Sequence, residues 1–180
     1  MSWTERTIGA YLSRHTFQRR YLVVPNCQWT GNECDLLVVT PSLRIVDVEI
    51  KTSRADLRAD SGKDKWWHSQ SWQRTPAANV GRDWPPRVWK HYYCLPAAIW
   101  QPEMLDDLLT VRDQTRAMFA SKSGVLLIRE DKHGRPWVDS VRRAKANSEA
   151  KPITAEQAID IARLANLRMW DALLLADKSC

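Results

Sequence analysis

The chain has 180 residues, of which 44% are hydrophobic and 27% are charged, a composition that excludes wholesale disorder. No apolar run approaches the roughly 18 residues that a membrane-spanning helix needs, and the N-terminus lacks the pattern of a secretory signal. The formal net charge of +6 favours negatively charged partners. We therefore expect one domain over residues 1–180, with a core from about residue 4 to about residue 130, in a soluble cytoplasmic protein that does not bind membranes.

The first third of the chain predicts a helix followed by three closely spaced strands. Thr4 is a suitable N-cap for a helix that ends near Arg14, because its hydroxyl can accept a free backbone N–H. Strands rich in β-formers follow at "YLVV", "CDLLVV" and "LRIVDVEIKT", separated by turn signals at "GNE" and "TPS". Such short connections favour an antiparallel meander.

The middle of the chain alternates between helices and strands around one long aperiodic segment. "SRADLRAD" predicts a short helix with Ser53 as its N-cap, and residues 63–89 are typical of a long Trp-rich loop. We expect a strand at "KHYYCLPAAIW", a helix at "QPEMLDDLLTV" and another strand at "SGVLLIRED".

A final helix is expected from about Thr154 to Ala176. Thr154 and Gln157 form a capping box, and an apolar face includes Leu164, Leu167 and Trp170. The predicted fold class is α/β (α+β), with a central mixed sheet of about four to five strands flanked by helices.

Three charged residues alternate with apolar ones on the third strand. Side chains alternate between the faces of a strand, so Asp47, Glu49 and Lys51 share one face, while Val48 and Ile50 point into the core. A solvated sheet face would be enough to explain them. The preceding strand begins with Asp35, however, which would lie beside Glu49 if the two strands pair. This second carboxylate favours a functional site over a solvated face.

The chemistry of this set is that of phosphodiester hydrolysis. Two carboxylates are the hard oxygen ligands that Mg²⁺ or Mn²⁺ prefers, and they leave positions open for water and phosphate oxygens. The metal lowers the pKa of bound water and stabilises charge on the phosphate. A nearby ammonium such as that of Lys51 can orient this water or help to deprotonate it, because the pKa of lysine responds to its surroundings.

The pattern D-x13-E-x-K, from Asp35 through Glu49 to Lys51, follows a predicted helix and spans two predicted strands. It resembles the PD-(D/E)XK, or restriction-endonuclease-like, superfamily of nucleases. The continuation "EIKTSRADLRAD", the Lys65–Trp66 pair and "HYYCLP" are similar to the MmcB-like branch, which is associated with bacterial DNA repair.

This resemblance implies a Mg²⁺-dependent DNA endonuclease with a restriction-endonuclease-like core. It implies that Asp35, Glu49 and the backbone carbonyl of Ile50 bind the metal, and that Lys51 assists the attacking water. Many members carry a further acid on the first helix, where Glu5 is the carboxylate available, although its place in a first helical turn is also favoured by the helix dipole alone. RNA stays open as a substrate, and the oligomeric state is unknown.

The Trp-rich loop and its flanks predict a nucleic-acid-binding surface. Basic side chains there could contact phosphates while tryptophans stack on unpaired bases, although two or more of the tryptophans should belong to the core. The candidate contacts are Lys63, Lys65, Trp66, Arg74, Arg82 and Lys90. On the preceding helix, Asp56 and Asp60 share a face, and we expect them to cap it or to pair with its arginines.

Two alternatives belong to other classes of function. One is a nucleic-acid-binding module of the same fold whose nuclease site no longer turns over. The other is an interaction domain stabilised by zinc. Its ligands would be Cys27, Cys34, His91 and Cys94, although the gap between the first two is wider than in common zinc sites.

Overall fold

The computed structural model describes residues 3–17, 21–68, 80–105, 108–111, 114–117 and 122–177. In these ranges the helices are α1 (Glu5–Tyr11), α2 (Arg54–Asp60) and α3 (Ala155–Asp177). The strands are β1 (Leu22–Cys27), β2 (Cys34–Val39), β3 (Ile45–Ile50), β4 (Trp67–His68), β5 (Val80–Gly81), β6 (Lys90–Pro96), β7 (Leu108–Val111), β8 (Gln114–Ala117), β9 (Gly124–Glu130) and β10 (Pro136–Arg142).

Six of these strands form one mixed sheet in the spatial order β1-β2-β3-β6-β9-β10. The first three make an antiparallel meander, β6 and β9 run parallel to β3, and β10 returns antiparallel to β9. A mixed sheet flanked by helices is thus confirmed, with one more strand than the upper estimate. The strand missing from the sequence prediction is β10, an edge strand whose side chains are exposed or only half-buried and therefore show no apolar run.

Helix α1 covers one face of the sheet. Thr4 caps it, with its hydroxyl accepting from the backbone N–H of Thr7 at 3.2 Å. Ile8 and Leu12 are fully buried against the side chains of β2 and β3. A Cβ at Gly9 would lie 3.5–3.6 Å from Leu36 and Ile50, in ordinary van der Waals contact with the sheet. A π-helical turn, Leu12–Thr16, extends α1.

The opposite face is covered in two places. Leu57 of α2 and Trp66, from the 3₁₀ turn Asp64–Trp66, pack on β6 and β9. The beginning of α3 places Ile161 on β1 and β2. Between these two patches lie Asp47, Glu49 and Lys51, with exposures of 1%, 0% and 3%. The alternative of a solvated charged face is therefore wrong, and charges this deeply buried must be paired.

Residues 102–111 differ from their predicted helix. A 3₁₀ turn, Pro102–Leu105, is followed by β7, which pairs with β8 as an antiparallel ribbon. Thr110 and Val111 are β-branched residues, which lose side-chain freedom in a helix, and this favours a strand over a helix at the end of the stretch.

The C-terminal helix begins as predicted. Thr154 N–H donates to Gln157 Oε1 at 2.9 Å, and Gln157 N–H donates to Thr154 Oγ1 at 3.1 Å, which confirms the capping box. The apolar face predicted for α3 does not meet the sheet. The side of α3 that packs on the sheet is formed by Ala158, Ile161 and Ala165 instead. Among the described residues, no helix combines the length and apolarity needed to cross a membrane.

Candidate active site

The carboxylate of Glu49 lies at the centre of a cluster of lysines. The side chain is fully buried near the end of β3. Its Oε2 atom is 2.9 Å from Nζ of Lys51 and 3.3 Å from Nζ of Lys63, and its Oε1 atom is 2.6 Å from Nζ of Lys65. The last contact is an ion pair that lacks hydrogen-bond alignment. Glu49 is therefore neutralised by cations from its own strand and from the segment that follows α2.

Asp60, the last residue of α2, is a second buried carboxylate facing the same three lysines. Its Oδ1 atom lies 3.3 Å from Lys51 Nζ, 3.0 Å from Lys63 Nζ and 3.6 Å from Lys65 Nζ. Its Oδ2 atom accepts hydrogen bonds from Trp66 Nε1 at 2.9 Å and from the Tyr93 hydroxyl at 2.8 Å. The expectation that Asp60 serves only its helix is therefore wrong: it joins α2, the 3₁₀ turn and β6 to the lysine cluster.

The electrostatics follow from this geometry. Burial alone would raise the pKa of Asp60, but Lys65, Lys51 and Lys63 together hold it well below its usual range. Burial would likewise lower the pKa of Lys51, yet Glu49 and Asp60 raise it above the usual value for lysine. The pKa of Lys65 is also raised, because the neighbouring carboxylates outweigh its burial. Asp60, Lys51 and Lys65 are therefore charged at neutral pH.

Asp35 lies at the start of β2, where regular pairing with β3 stops. The last bridge of the ladder joins Leu36 to Val48, and beyond it Asp35 Oδ2 accepts the backbone N–H of Ile50 at 2.6 Å. Burial raises the pKa of Asp35 to about 6, and the charge of Glu49 adds to the rise. The two carboxylates are therefore close enough to repel each other, an arrangement that a cation would relieve.

An open groove of about 440 Å³ runs between α1 and the sheet at this point. Asp35, Ile50 and Glu5 line it together with Arg6 and Asn26. Glu5 contributes a small further rise to the pKa of Asp35. The structure thus places the carboxylate expected on the first helix in the same groove as Asp35.

These donors fit a hard divalent cation in one respect and resist it in another. Asp35, Glu49 and the carbonyl of Ile50 supply the oxygens that Mg²⁺ takes when it keeps most of its waters. In the described ranges, however, no three His, Cys, Asp or Glu side chains converge on one point with metal-ligand spacing. The ammonium groups around Glu49 also compete for the same oxygens. Asp35 and Glu49 therefore fit a site in which two carboxylates bind the metal and an ammonium group gives up its contact with Glu49.

The other charge of β3, Asp47, belongs to a separate buried network. Burial raises the pKa of Asp47 to about 7, although Lys65 opposes the rise. Its Oδ2 atom lies 3.8 Å from Nε2 of His91, whose Nδ1 is 2.8 Å from the hydroxyl of Ser123. Trp66 packs edge-on against His91 with ring centroids 4.8 Å apart. Trp66 joins this network to the lysine cluster, because its indole packs on His91 and donates to Asp60.

Of the residues expected to touch nucleic acid, three lie at the lysine cluster, and the structure buries two of them. Trp66 is fully buried and donates to Asp60, so its expected stacking on bases is wrong. Lys65 is 2% exposed and faces Glu49, so the expected surface contact with phosphates is wrong as well. Lys63 is 46% exposed and remains available.

Three further candidates lie away from the cluster or outside the described residues. Lys90 is half-buried, with its ammonium 4.5 Å from the ring centre of Trp89. Arg82 is also half-buried, and its backbone N–H donates to the carbonyl of Trp66 at 2.7 Å. Arg74 lies outside the described residues.

The zinc alternative finds no support in the part of the chain that the structure describes. Cys94 packs with the side chains under α1, whereas Cys27 and Cys34 pack in the cluster beneath α3 on the opposite face. The thiols therefore do not converge, and no metal-ligand cluster forms among the described residues. Burial raises the pKa of Cys94 to about 12 and that of Cys34 further still.

Sequence reasoning overlooked the contribution of Asp60, Lys65 and Tyr93. The signal that could have found them is the continuation of the motif: Asp60 falls one helical turn after Asp56, and a Lys-Trp pair follows five residues later. Trp66 Nε1 needs a buried acceptor, and Asp60 is the acid that the chain brings to it.

Comparison with known proteins agrees with this picture at a coarse level. Residues 2–83, just under half of the chain, match a family model described as "Nuclease-related domain". The matched stretch holds α1, the meander, α2 and all three lysines of the cluster. This part of the chain is therefore similar to the nuclease-related domain.

Similarity to solved structures extends further along the chain. A structure described as "SPO1766 protein of unknown function from Silicibacter pomeroyi" covers 97% of this chain and 89% of its own, at 18% identity and a TM-score of 0.50. Likeness at this identity shows a shared fold alone. None of the curated proteins compared with the chain is similar to it in sequence.

Proposed function

We propose that this chain is a metal-dependent DNA endonuclease of the PD-(D/E)XK type, close to the MmcB-like branch, that hydrolyses phosphodiester bonds in DNA repair or processing. The observation that carries the proposal is the half-buried carboxylate of Asp35, which lines an open groove and is close enough to the buried Glu49–Lys51 pair for the charge of Glu49 to raise its pKa. Groups of this kind are costly to bury without a function or a partner.

In this proposal Asp35, Glu49 and the carbonyl of Ile50 hold Mg²⁺ or Mn²⁺, with Glu5 as an additional carboxylate at the rim of the groove. The bound metal supplies Lewis-acid stabilisation of the phosphate and a water of lowered pKa. Asp35 is anchored for this role, because the N–H of Ile50 fixes one oxygen and leaves the other free to bind.

Lys51 acts as an ammonium. Because Glu49 and Asp60 raise its pKa, it donates hydrogen bonds to water or phosphate oxygens and stabilises charge, rather than accepting the proton of the attacking water. Lys63 is the lysine of the cluster that extends to the solvent, with 46% of its side chain exposed, and it suits the first contact with a phosphate.

The experiment is a cleavage panel of single-stranded, duplex and branched DNAs with Mg²⁺, Mn²⁺ or EDTA. Glu49→Gln and Asp35→Asn should abolish cleavage, since each removes a charge but keeps the shape and an acceptor oxygen. Glu49→Ala is a poorer choice, because it would leave three ammonium groups facing a cavity. Asp139→Asn serves as the matched control: this half-exposed Asp pairs with Arg129 at 3.6 Å on the far edge of the sheet. Undiminished cleavage by Glu49→Gln would refute the site.

A catalytically inactive DNA-binding module is the second candidate, favoured by the three lysines that already occupy Glu49. Titration calorimetry with Mn²⁺ separates the two proposals without measuring cleavage. A nuclease site should bind the ion in the wild type and at least tenfold more weakly in Asp35→Asn. An inactive module should bind DNA while showing no Mn²⁺ binding that depends on Asp35.

A further inference from the structure

Helix α3 carries most of the large apolar side chains that the described residues expose. Its buried side is narrow and consists of Ala158, Ile161 and Ala165. The exposed set, between 38% and 65% accessible, comprises Ile159, Leu164, Leu167, Met169, Trp170, Leu173, Leu174 and Leu175. A helix that exposes this many large apolar side chains belongs in contact with another protein surface or with lipid.

The second half of α3 has little support from the rest of the chain. The guanidinium of Arg168 donates to the backbone carbonyl of Asn26 on β1. From residue 169 to residue 176 every side chain is exposed, on whichever side of the helix it lies. With respect to the described residues, the side chains of this half are therefore accessible to a partner.

The exposed area is large enough for a stable association. At roughly 150–200 Å² for a large side chain, the eight exposed residues present on the order of 700 Å² of surface. A standard protein interface buries about 800 Å² on each partner, so these side chains, which lie on several sides of the helix, together approach the area that one partner contributes.

The charges of α3 identify the kind of partner. The helix contains Glu156, Asp160, Asp171 and Asp177 but only two arginines, Arg163 and Arg168, for a net charge of −2. Helices that lie on anionic membranes or nucleic acids carry an excess of Lys and Arg instead. The sign of the charge thus favours a protein partner.

We infer that α3 pairs with the same helix of a second copy of this chain, antiparallel about a two-fold axis near Leu167. Residues 163, 167, 170 and 174 recur at helical spacing on the side opposite Ile161, and residue 171 lies at the flank of this side. With Leu167 at the axis, residue 163 lies opposite residue 171 of the other copy. Arg163 then meets an aspartate twice by symmetry, flanking a seam of Leu167, Trp170 and Leu174.

The inference does not depend on the proposed nuclease activity. Analytical ultracentrifugation of the full chain should give a concentration-dependent dimer of twice the 20.8 kDa chain mass. Leu167→Glu should weaken dimerisation at least tenfold, because a carboxylate at the axis faces its own copy. Trp137→Glu, at an equally exposed tryptophan on β10, is the matched control and should leave the dimer intact.

Charge reversal tests the register. Arg163→Asp and Asp171→Arg should each weaken the dimer, and the double variant should restore it, because each exchanged pair is again opposite in sign. A wild-type chain that stays monomeric at every concentration would overturn the inference, as would a dimer indifferent to Leu167→Glu or a double variant without rescue. Flotation of a monomer with anionic phospholipid vesicles would assign the helix to lipid and equally overturn it.

Discussion

Replacement of Asp60 by Asn measures how strongly the lysine cluster depends on its second carboxylate. The substitution keeps the shape of the side chain and one oxygen for Trp66 and Tyr93, but removes the charge 3.0–3.6 Å from three ammonium groups. At an effective dielectric constant of 20, each such contact amounts to about 5 kcal/mol before the cost of desolvation. Measured losses on breaking a buried pair are about 3–5 kcal/mol. For a chain of this size that is a fall in Tm of roughly 6–20 °C.

The matched control lies one turn earlier on the same helix. Asp56 is 3.8 Å from the ammonium of Lys51 and 48% exposed, so Asp56→Asn should cost no more than about 1 kcal/mol. Thermal unfolding followed by circular dichroism at neutral pH compares the two variants. Equal stability of Asp60→Asn and Asp56→Asn, or a change of less than about 2 °C for Asp60→Asn, would refute the electrostatic argument.

The same variant has a defined dependence on pH. Because the folded-state pKa of Asp60 is below the ordinary value of 3.8, its stabilisation is fully present above that value and is lost as pH falls through the folded pKa. The deficit of Asp60→Asn should therefore be constant near neutral pH and should narrow in strong acid. A deficit that widens on acidification would contradict the sign.

Three other substitutions or labels test separate parts of the fold. Gly124→Ala should lower the free energy of unfolding by about 1–3 kcal/mol in a denaturant titration, because the added Cβ would lie 2.3 Å from the ring of Tyr92 and 2.7 Å from the backbone N of Ala144. An unchanged midpoint of unfolding would exclude this clash. Cys94, buried with its pKa raised to about 12, should resist alkylation at pH 8 until the chain unfolds, as peptide mapping would reveal, and rapid native labelling would contradict its burial. Burial raises the folded-state pKa of Asp47 from 3.8 to about 7, so as the pH rises from 5 to 8 the wild type should lose on the order of 2 kcal/mol of stability relative to Asp47→Asn. A gain in stability over that interval would refute the assignment.

The sequence was sufficient for the meander and for the local pattern of charge on β3. Alternation predicts that Glu49 and Lys51 share a face, and the structure places them on the same face, in contact. The strand pairing that brings β2 to β3 follows from a five-residue connection and two apolar strands. These features depend on short-range rules, which is why one sequence is enough to see them.

What the sequence did not indicate depends on contacts between distant segments. The face of β3 looked solvated because nothing in "VDVEIK" shows that Trp66 and Lys65 fold back over it. Trp66 looked like a base-stacking residue for the same reason, since an aromatic in a Lys-rich segment is identical in sequence whether it is exposed or buried. On α3, the larger apolar side chains predicted the wrong inward face, because the sheet is met by alanines and a single isoleucine.

The half-exposed Lys63 has a consequence for how the cluster takes up ions. A cation that binds Glu49 competes with the ammonium groups around this carboxylate. Lys51 and Lys65 are almost fully buried, whereas the side chain of Lys63 is 46% exposed. Under the proposed function, truncating the side chain of Lys63 should remove a competitor for Glu49 and tighten the binding of small cations.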